Sequence, residues 1–185
     1  MNARRSDTKE RIQQVALELF AERGYEKTSL REVAERLQIT RPALYYHFST
    51  KEDILTGVIE DLNDSIDEIV AWANAQPRTE QAVTEIMQRI AMLLNDRWRP
   101  LLRFARVNQA VMSRLPAGER MHHRMMAVLS VLSVPGTDPV RQFEARLAVI
   151  ALILGSVPFV IGLDLPEEER MTTALTVAAK LVSGR

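Results

Sequence analysis

Ten of the 24 basic residues fall within the first 51 positions: Arg4, Arg5, Lys9, Arg11, Arg23, Lys27, Arg31, Arg36, Arg41 and Lys51. Seven acids share that stretch, which leaves an excess of three positive charges, while the rest of the chain holds 14 basic against 17 acidic residues. Guanidinium and ammonium groups gathered at one end of a neutral chain could meet a polyanion. Other chemistries are poorly supplied. The chain of 185 residues has no Cys and three His, which excludes disulfides, thiolate zinc sites and Cys nucleophiles. His122 and His123 are neighbours in sequence, so on a helix they point in different directions, and no third ligand completes a metal site. No nucleophile or phosphate-loop motif is present, so no enzyme, catalytic residue, metal or cofactor is expected.

The elements that must position the basic residues are helical. Ile12, Val15, Ala16, Leu19 and Phe20 repeat at helical spacing, which predicts a first helix ending at Gly24. Ser29 and Glu32 have the spacing of a capping box and open a second helix of about two turns through Leu30, Val33, Ala34 and Leu37. Thr40 can cap a third helix, from Arg41 to about Phe48, in whose first turn Pro42 is tolerated. Ser49 with Glu52 forms a second capping box, ahead of a long amphipathic helix that should end before Pro77. Breaks near Pro100, Pro116, Pro135 to Pro139 and Pro166 divide the remainder, with no alternating strand pattern. The chain reads as all-α, with about nine helices. Charged and apolar residues mix throughout Met1 to Lys27, so no signal peptide is expected, and together with the lack of Cys this suits a cytoplasmic protein.

A two-turn helix, a tight turn and a second helix carrying Arg, Ala and aromatic residues describe a helix-turn-helix, whose second helix enters the DNA major groove. The run Lys27-Thr28-Ser29-Leu30-Arg31-Glu32-Val33-Ala34-Glu35-Arg36-Leu37-Gln38-Ile39-Thr40-Arg41-Pro42-Ala43-Leu44-Tyr45-Tyr46-His47-Phe48, followed by Lys51-Glu52, resembles the signature of the Tet repressor (TetR) family of bacterial transcription regulators. Ala21-Glu22-Arg23-Gly24-Tyr25 is similar to that family's end of helix one. The resemblance covers about the first 55 residues. Two positions depart from it. Gln38 stands where glycine is frequent, and a left-handed backbone there costs a non-glycine residue about 1–2 kcal/mol. Pro42 stands where many members carry Gly, and it removes a backbone donor.

The resemblance implies a helix-turn-helix DNA-binding domain over residues 1–50 and a ligand-binding and dimerisation domain over 51–185. It implies that Arg31 and Arg41 read guanine, that Pro42 and Ala43 make apolar contact, and that Tyr45, Tyr46 and His47 divide between phosphate contacts and packing. Thr28, Ser29 and Thr40 would offer hydroxyls to the DNA, and Lys51, in the first turn of its helix, a phosphate contact.

The body resembles the family in helix count and length alone. There the implied partners are a small apolar or amphipathic effector and a second copy of the chain, paired through the last two helices. Leu147 to Leu163 is uncharged and too apolar all round for a helix with one wet face, so it must be buried on several sides. At 17 residues with Pro and Gly inside, it is a poor membrane span, and no membrane partner is expected. Leu147, Ala151, Leu154 and Pro158, with the Leu175, Ala178, Ala179 and Val182 stripe, are the expected dimer contacts. Trp72, Met87, Trp98, Phe104, Met112 and Met125 are bulky or adaptable apolar groups that could line an effector pocket. The function these features support is a ligand-responsive regulator, most simply a repressor, that binds a palindromic operator as a homodimer. The alternative is a small-molecule binding protein or enzyme with an all-α body and no sequence-specific DNA role.

Overall fold

A computed structural model describes residues 2–95, 98–112, 114–132, 136, 138–156 and 165–183. Every regular element among them is an α-helix: α1 Asn2–Arg23, α2 Leu30–Leu37, α3 Arg41–Tyr45, α4 Lys51–Asn74, α5 Glu80–Asn95, α6 Arg99–Val107, α7 Gln109–Met112, α8 Pro116–Val131, α9 Pro139–Ser156 and α10 Glu167–Ser183. This is one helix more than the nine expected, because the segment after Pro100 is broken at Asn108. The Asn108 side chain donates Nδ2 to the Phe104 carbonyl at 3.1 Å, and its own carbonyl then starts α7 by accepting from Val111 and Met112. A side chain that competes for backbone groups in this way favours a turn over a continuous helix.

The chain forms two compact units, Met1–Leu62 with Pro100–Glu119, and Asn63–Arg99 with Arg120–Arg185. In the first, Ile12, Ala16, Leu19 and Phe20 of α1 are buried with Val33 and Ala34 of α2, Leu44 of α3, Phe48, and Ile54, Leu55, Val58 and Ile59 of α4. Phe104 of α6 is completely buried and shares an aromatic cluster with Phe20 and Tyr25, each at a centroid distance of 5.7 Å. The α1–α4 crossing is tight at Gly57, where a Cβ would lie 3.2 Å from both Gln13 and Phe48. Beside it Asp61 accepts from Lys9 and Gln13, each at 2.9 Å.

In the second unit α9 and α10 pack on each other and on α5. Gly155 is required where α9 crosses α10, since a Cβ there would collide with that of Ala174. The small residues on α10 are therefore used inside the chain, and Ala178 is fully buried. That corrects its expected place among dimer contacts: an alanine already enclosed by its own subunit has no face left for another. No described helix is long and apolar enough to cross a membrane. Of the uncharged run, Leu147 to Ser156 lies in α9, with Ala148, Val149 and Leu152 buried, while Pro158 and the rest of the run to Leu163 lie outside the described residues.

Candidate nucleic-acid interface

Local rules build the helix pair as its sequence demands. Ser29 accepts from the Glu32 amide at 3.3 Å while the Glu32 carboxylate accepts from the Ser29 amide at 2.8 Å, closing the capping box that starts α2. The bond from the Ser29 amide, and after it one from the Ser29 hydroxyl, holds the Glu32 carboxyl below its usual range. At the other end Gln38 adopts φ 56°, ψ 37°, the left-handed conformation, and Ile39 N–H donates to the Ala34 carbonyl at 3.1 Å. The turn position where glycine is frequent thus keeps its left-handed backbone with a glutamine in it. Thr40 then accepts from the Ala43 amide at 3.3 Å and starts α3. α3 is shorter than expected. It ends at Tyr45, because the Leu44 carbonyl receives both His47 N–H at 2.9 Å and Phe48 N–H at 3.0 Å in a closing turn.

This short helix presents one face outward. Arg41, Pro42, Ala43, Tyr45 and Tyr46 are exposed, the two tyrosines by 52% and 65%, whereas Leu44 and Phe48 anchor the segment in the core. Two tyrosines exposed to that degree next to one another in sequence give this segment a surface that a partner could cover. His47 is half-buried, with its ring edge-on to Tyr46 at 5.3 Å. Arg41 takes part in no ion pair among the described residues. Arg31 does: its Nε meets Glu35 Oε1 at 2.6 Å one turn along α2, which pushes the guanidinium's pKa further up and leaves the side chain 65% exposed. Glu35, a residue with no place among the expected contacts, therefore orients Arg31. Arg23 pairs with Glu32 and Arg36 with Glu22, which fastens α1 to α2.

Two expectations from the sequence change here. Thr28 is buried to 2% exposure, and its hydroxyl hydrogen is directed to the Gly24 and Leu19 carbonyls at 2.9 and 3.3 Å, so it cannot offer that group to DNA. The box that opens α4 lies one residue later than Ser49 and Glu52. Thr50 accepts from the Asp53 amide at 3.0 Å, and Asp53 accepts from the amides of Ser49 and Thr50. Glu52 is thereby released to accept the Tyr25 phenol at 2.7 Å. Lys51 is half-buried and donates to the Tyr25 carbonyl at 2.6 Å.

The expected pocket residues are divided between the two units. Phe104 and Met112 belong to the first unit; Trp72, Met87, Trp98 and Met125 belong to the second. Phe104 and Trp98 are buried, and Phe104 is filled in by its aromatic neighbours, so packing accounts for it. Trp72 carries the Arg89 guanidinium 4.0 Å above its ring. Met87 lines a groove of about 290 Å³ between α5 and α10, together with Leu175, Ala179 and Val182, three residues expected at the dimer contact. Four apolar side chains outside the expected contact residues are exposed: Val140 and Phe143 of α9, Val177 of α10 and, within the uncharged run, Ile150 of α9. With Leu147 between them, the three on α9 follow one helical stripe, a spacing visible in the sequence.

Residues 12–58 match the family model described as bacterial regulatory proteins, tetR family. The head is similar to that family, and the match takes in about a quarter of the chain. The same region is 38% identical over 63 residues to the HTH-type transcriptional regulator AcrR of Shigella flexneri, covering 34% of this chain and 29% of AcrR. Over 61 residues it is 43% identical to the HTH-type transcriptional repressor KstR2 of Rhodococcus jostii (strain RHA1), covering 31% of this chain and 30% of KstR2. The matched segments thus span under a third of either relative. The fold extends further: the TetR family transcriptional regulator PfmR of Thermus thermophilus superposes with a TM-score of 0.68 at 19% identity, covering 93% of this chain and 97% of PfmR.

Proposed function

We propose that the chain is a transcriptional regulator that binds a two-fold operator as a homodimer through α2 and α3, with a small effector modulating that binding. The observation that carries this reading is the exposed face of α3, where Arg41, Pro42, Ala43, Tyr45 and Tyr46 stand out from a helix whose other side is locked into the core. Arg41 supplies a bidentate donor for guanine, Pro42 and Ala43 apolar contact, and the tyrosines, His47, Ser29, Thr40 and Lys51 the backbone contacts. Arg31, held by Glu35, reads or steadies from α2. Residues 1–50 serve as the DNA-binding domain and 51–185 as the effector and dimer domain, in the cytoplasm. Repression is the favoured sign, since KstR2, whose head is so similar, is a repressor.

Dimer contact is assigned to α9 and α10. The stripe Val140, Phe143, Leu147 and Ile150, with Val177, supports it, because large apolar side chains exposed in line are costly to leave in water. Leu147, Ala151 and Leu154 are half-buried on α9 and complete the surface. The effector acts by changing the separation or orientation of the two heads in the dimer, through a coupling typically of about 1–3 kcal/mol.

The test is selection from a random pool of duplex DNA at fixed salt. The expected result is enrichment of a palindromic consensus; a folded dimer that enriches no sequence would refute the operator reading.

A further inference from the structure

Asn63 stands in the interior of α4 and is fully buried, yet neither Oδ1 nor Nδ2 of its carboxamide has a hydrogen-bond partner in the protein. A primary amide has two N–H donors and an oxygen that accepts twice, so all of its hydrogen-bonding capacity is unused. Burying such a group unpaired costs stability, and Asn is also a poorer helix former than Leu or Ala. The other two buried polar side chains among the described residues are both paired, Gln13 with Asp61 and Thr28 with the Leu19 and Gly24 carbonyls. Ile59 and Ile66, one turn to either side on the same face of α4, are buried and apolar. An aliphatic residue would suit position 63 better than asparagine if packing were its whole role.

We infer that Asn63 is the polar anchor of a site for a small uncharged ligand that presents an acceptor and a donor side by side, as a carboxamide or lactam does. This rests on the effector-binding reading given above and names the chemistry it takes. A ligand carboxamide would accept from Nδ2 and donate to Oδ1, filling both atoms with one group. The ligand group is uncharged because a carboxylate only accepts and an ammonium only donates, so neither satisfies both Oδ1 and Nδ2 of one carboxamide. The rest of it is apolar, to match Ile59 and Ile66. Asn63 lies twelve residues after Lys51, about 18 Å along the same helix. A ligand bonded there grips the helix whose first turn holds Lys51 and Glu52 against Tyr25.

The experiment is thermal melting of the full chain with octanamide, against octanoate and octylamine of the same chain length. Two variants accompany the wild type: Asn63→Leu, which keeps the branched outline without the polar atoms, and Asn63→Ala, should the leucine not fit. Millimolar octanamide is expected to raise the wild-type melting temperature by about 2–4 °C, and the two charged analogues to raise it by less than about 1 °C. Each variant that melts cooperatively should lose the octanamide response, and Asn63→Leu alone should melt at or above the wild type. An equal response in wild type and variants, an octanoate shift as large as that of octanamide, or no wild-type shift at all would each overturn the inference. Operator selection on the wild type separates the two readings. An enriched palindrome without an amide shift sinks the Asn63 site alone, whereas an Asn63-dependent shift without enrichment sinks the regulator and leaves the site.

Discussion

Lys51 Nζ lies 2.6 Å from the Tyr25 carbonyl and 4.4 Å from the centroid of the Tyr25 ring. One ammonium thus ties the first turn of α4 to the turn between α1 and α2, by a charge-assisted hydrogen bond and a cation–π contact. An ammonium has three donors, so this tether leaves capacity for a phosphate.

Lys51→Met therefore has two expected effects. Loss of the tether should cost about 1 kcal/mol, or about 2–4 °C in melting temperature for a chain of this size. Loss of the phosphate contact should flatten the slope of log affinity against log salt by about one unit. Melting and salt-titrated DNA binding read the two separately, and an unchanged slope would confine Lys51 to positioning.

Arg41→Ala should lower affinity for the selected operator by about 1–3 kcal/mol and relax preference at one base pair, while non-specific DNA suffers less. The check is a pair of titrations, on operator and on scrambled duplex. Equal losses on both would make Arg41 a phosphate contact.

Gln38 bears the steric cost of a left-handed backbone at φ 56°. Glycine adopts that conformation without the Cβ penalty but has more freedom to lose on folding. The balance for Gln38→Gly is a stabilisation of about 0.5–1 kcal/mol, seen as a higher midpoint in urea with unchanged slope. A lower midpoint would mean that the glutamine side chain supports the turn.

The Tyr25–Glu52 pair makes stability pH-dependent at both extremes. Burial first, then the hydrogen bond to Glu52, pushes the Tyr25 phenol above its usual value of 10.0, while that same bond is the main cause holding the Glu52 carboxyl below its usual 4.5. A group raised in the fold keeps its contribution below its unfolded pKa and loses it as pH rises toward its folded value. A depressed carboxyl loses its contribution as pH falls through its folded pKa. The melting gap between wild type and Tyr25→Phe should be widest at about pH 5–9 and narrow above about pH 10 and below about pH 4.5. A gap constant across that range would uncouple the pair from folding.

Phe143, 59% exposed on α9, is the most direct probe of dimer contact. Phe143→Asp should give monomers with native helicity that no longer bind the operator. Sedimentation showing an intact dimer would remove the α9 stripe from the interface.

The helix-turn-helix was legible because local rules determine it: Ser29 with Glu32, Thr40 before Pro42, and Gly24 after Arg23 each act within one turn of chain. The capping box of α4 was misplaced by one residue because Ser49, Thr50, Glu52 and Asp53 offer two boxes in the same register of types. What decided between them is Tyr25, 27 positions away, which takes Glu52 for its phenol. The α9 stripe had a readable period, but whether Ala178 or Phe143 faces outward depends on how Gly155 seats α9 against Ala174.

The amino-acid sequence by itself determined the all-α class, the position of the paired helices and the basic side chains they could present, because periodicity, capping and turn chemistry act between residues a few positions apart. Tertiary structure alone decided which groups remain available: Thr28 turned inward, Lys51 drawn onto Tyr25, Phe104 enclosed by aromatic rings and Asn63 buried without a partner. Those outcomes follow from contacts between distant segments, where burial and competition for hydrogen bonds override the propensity of any single residue.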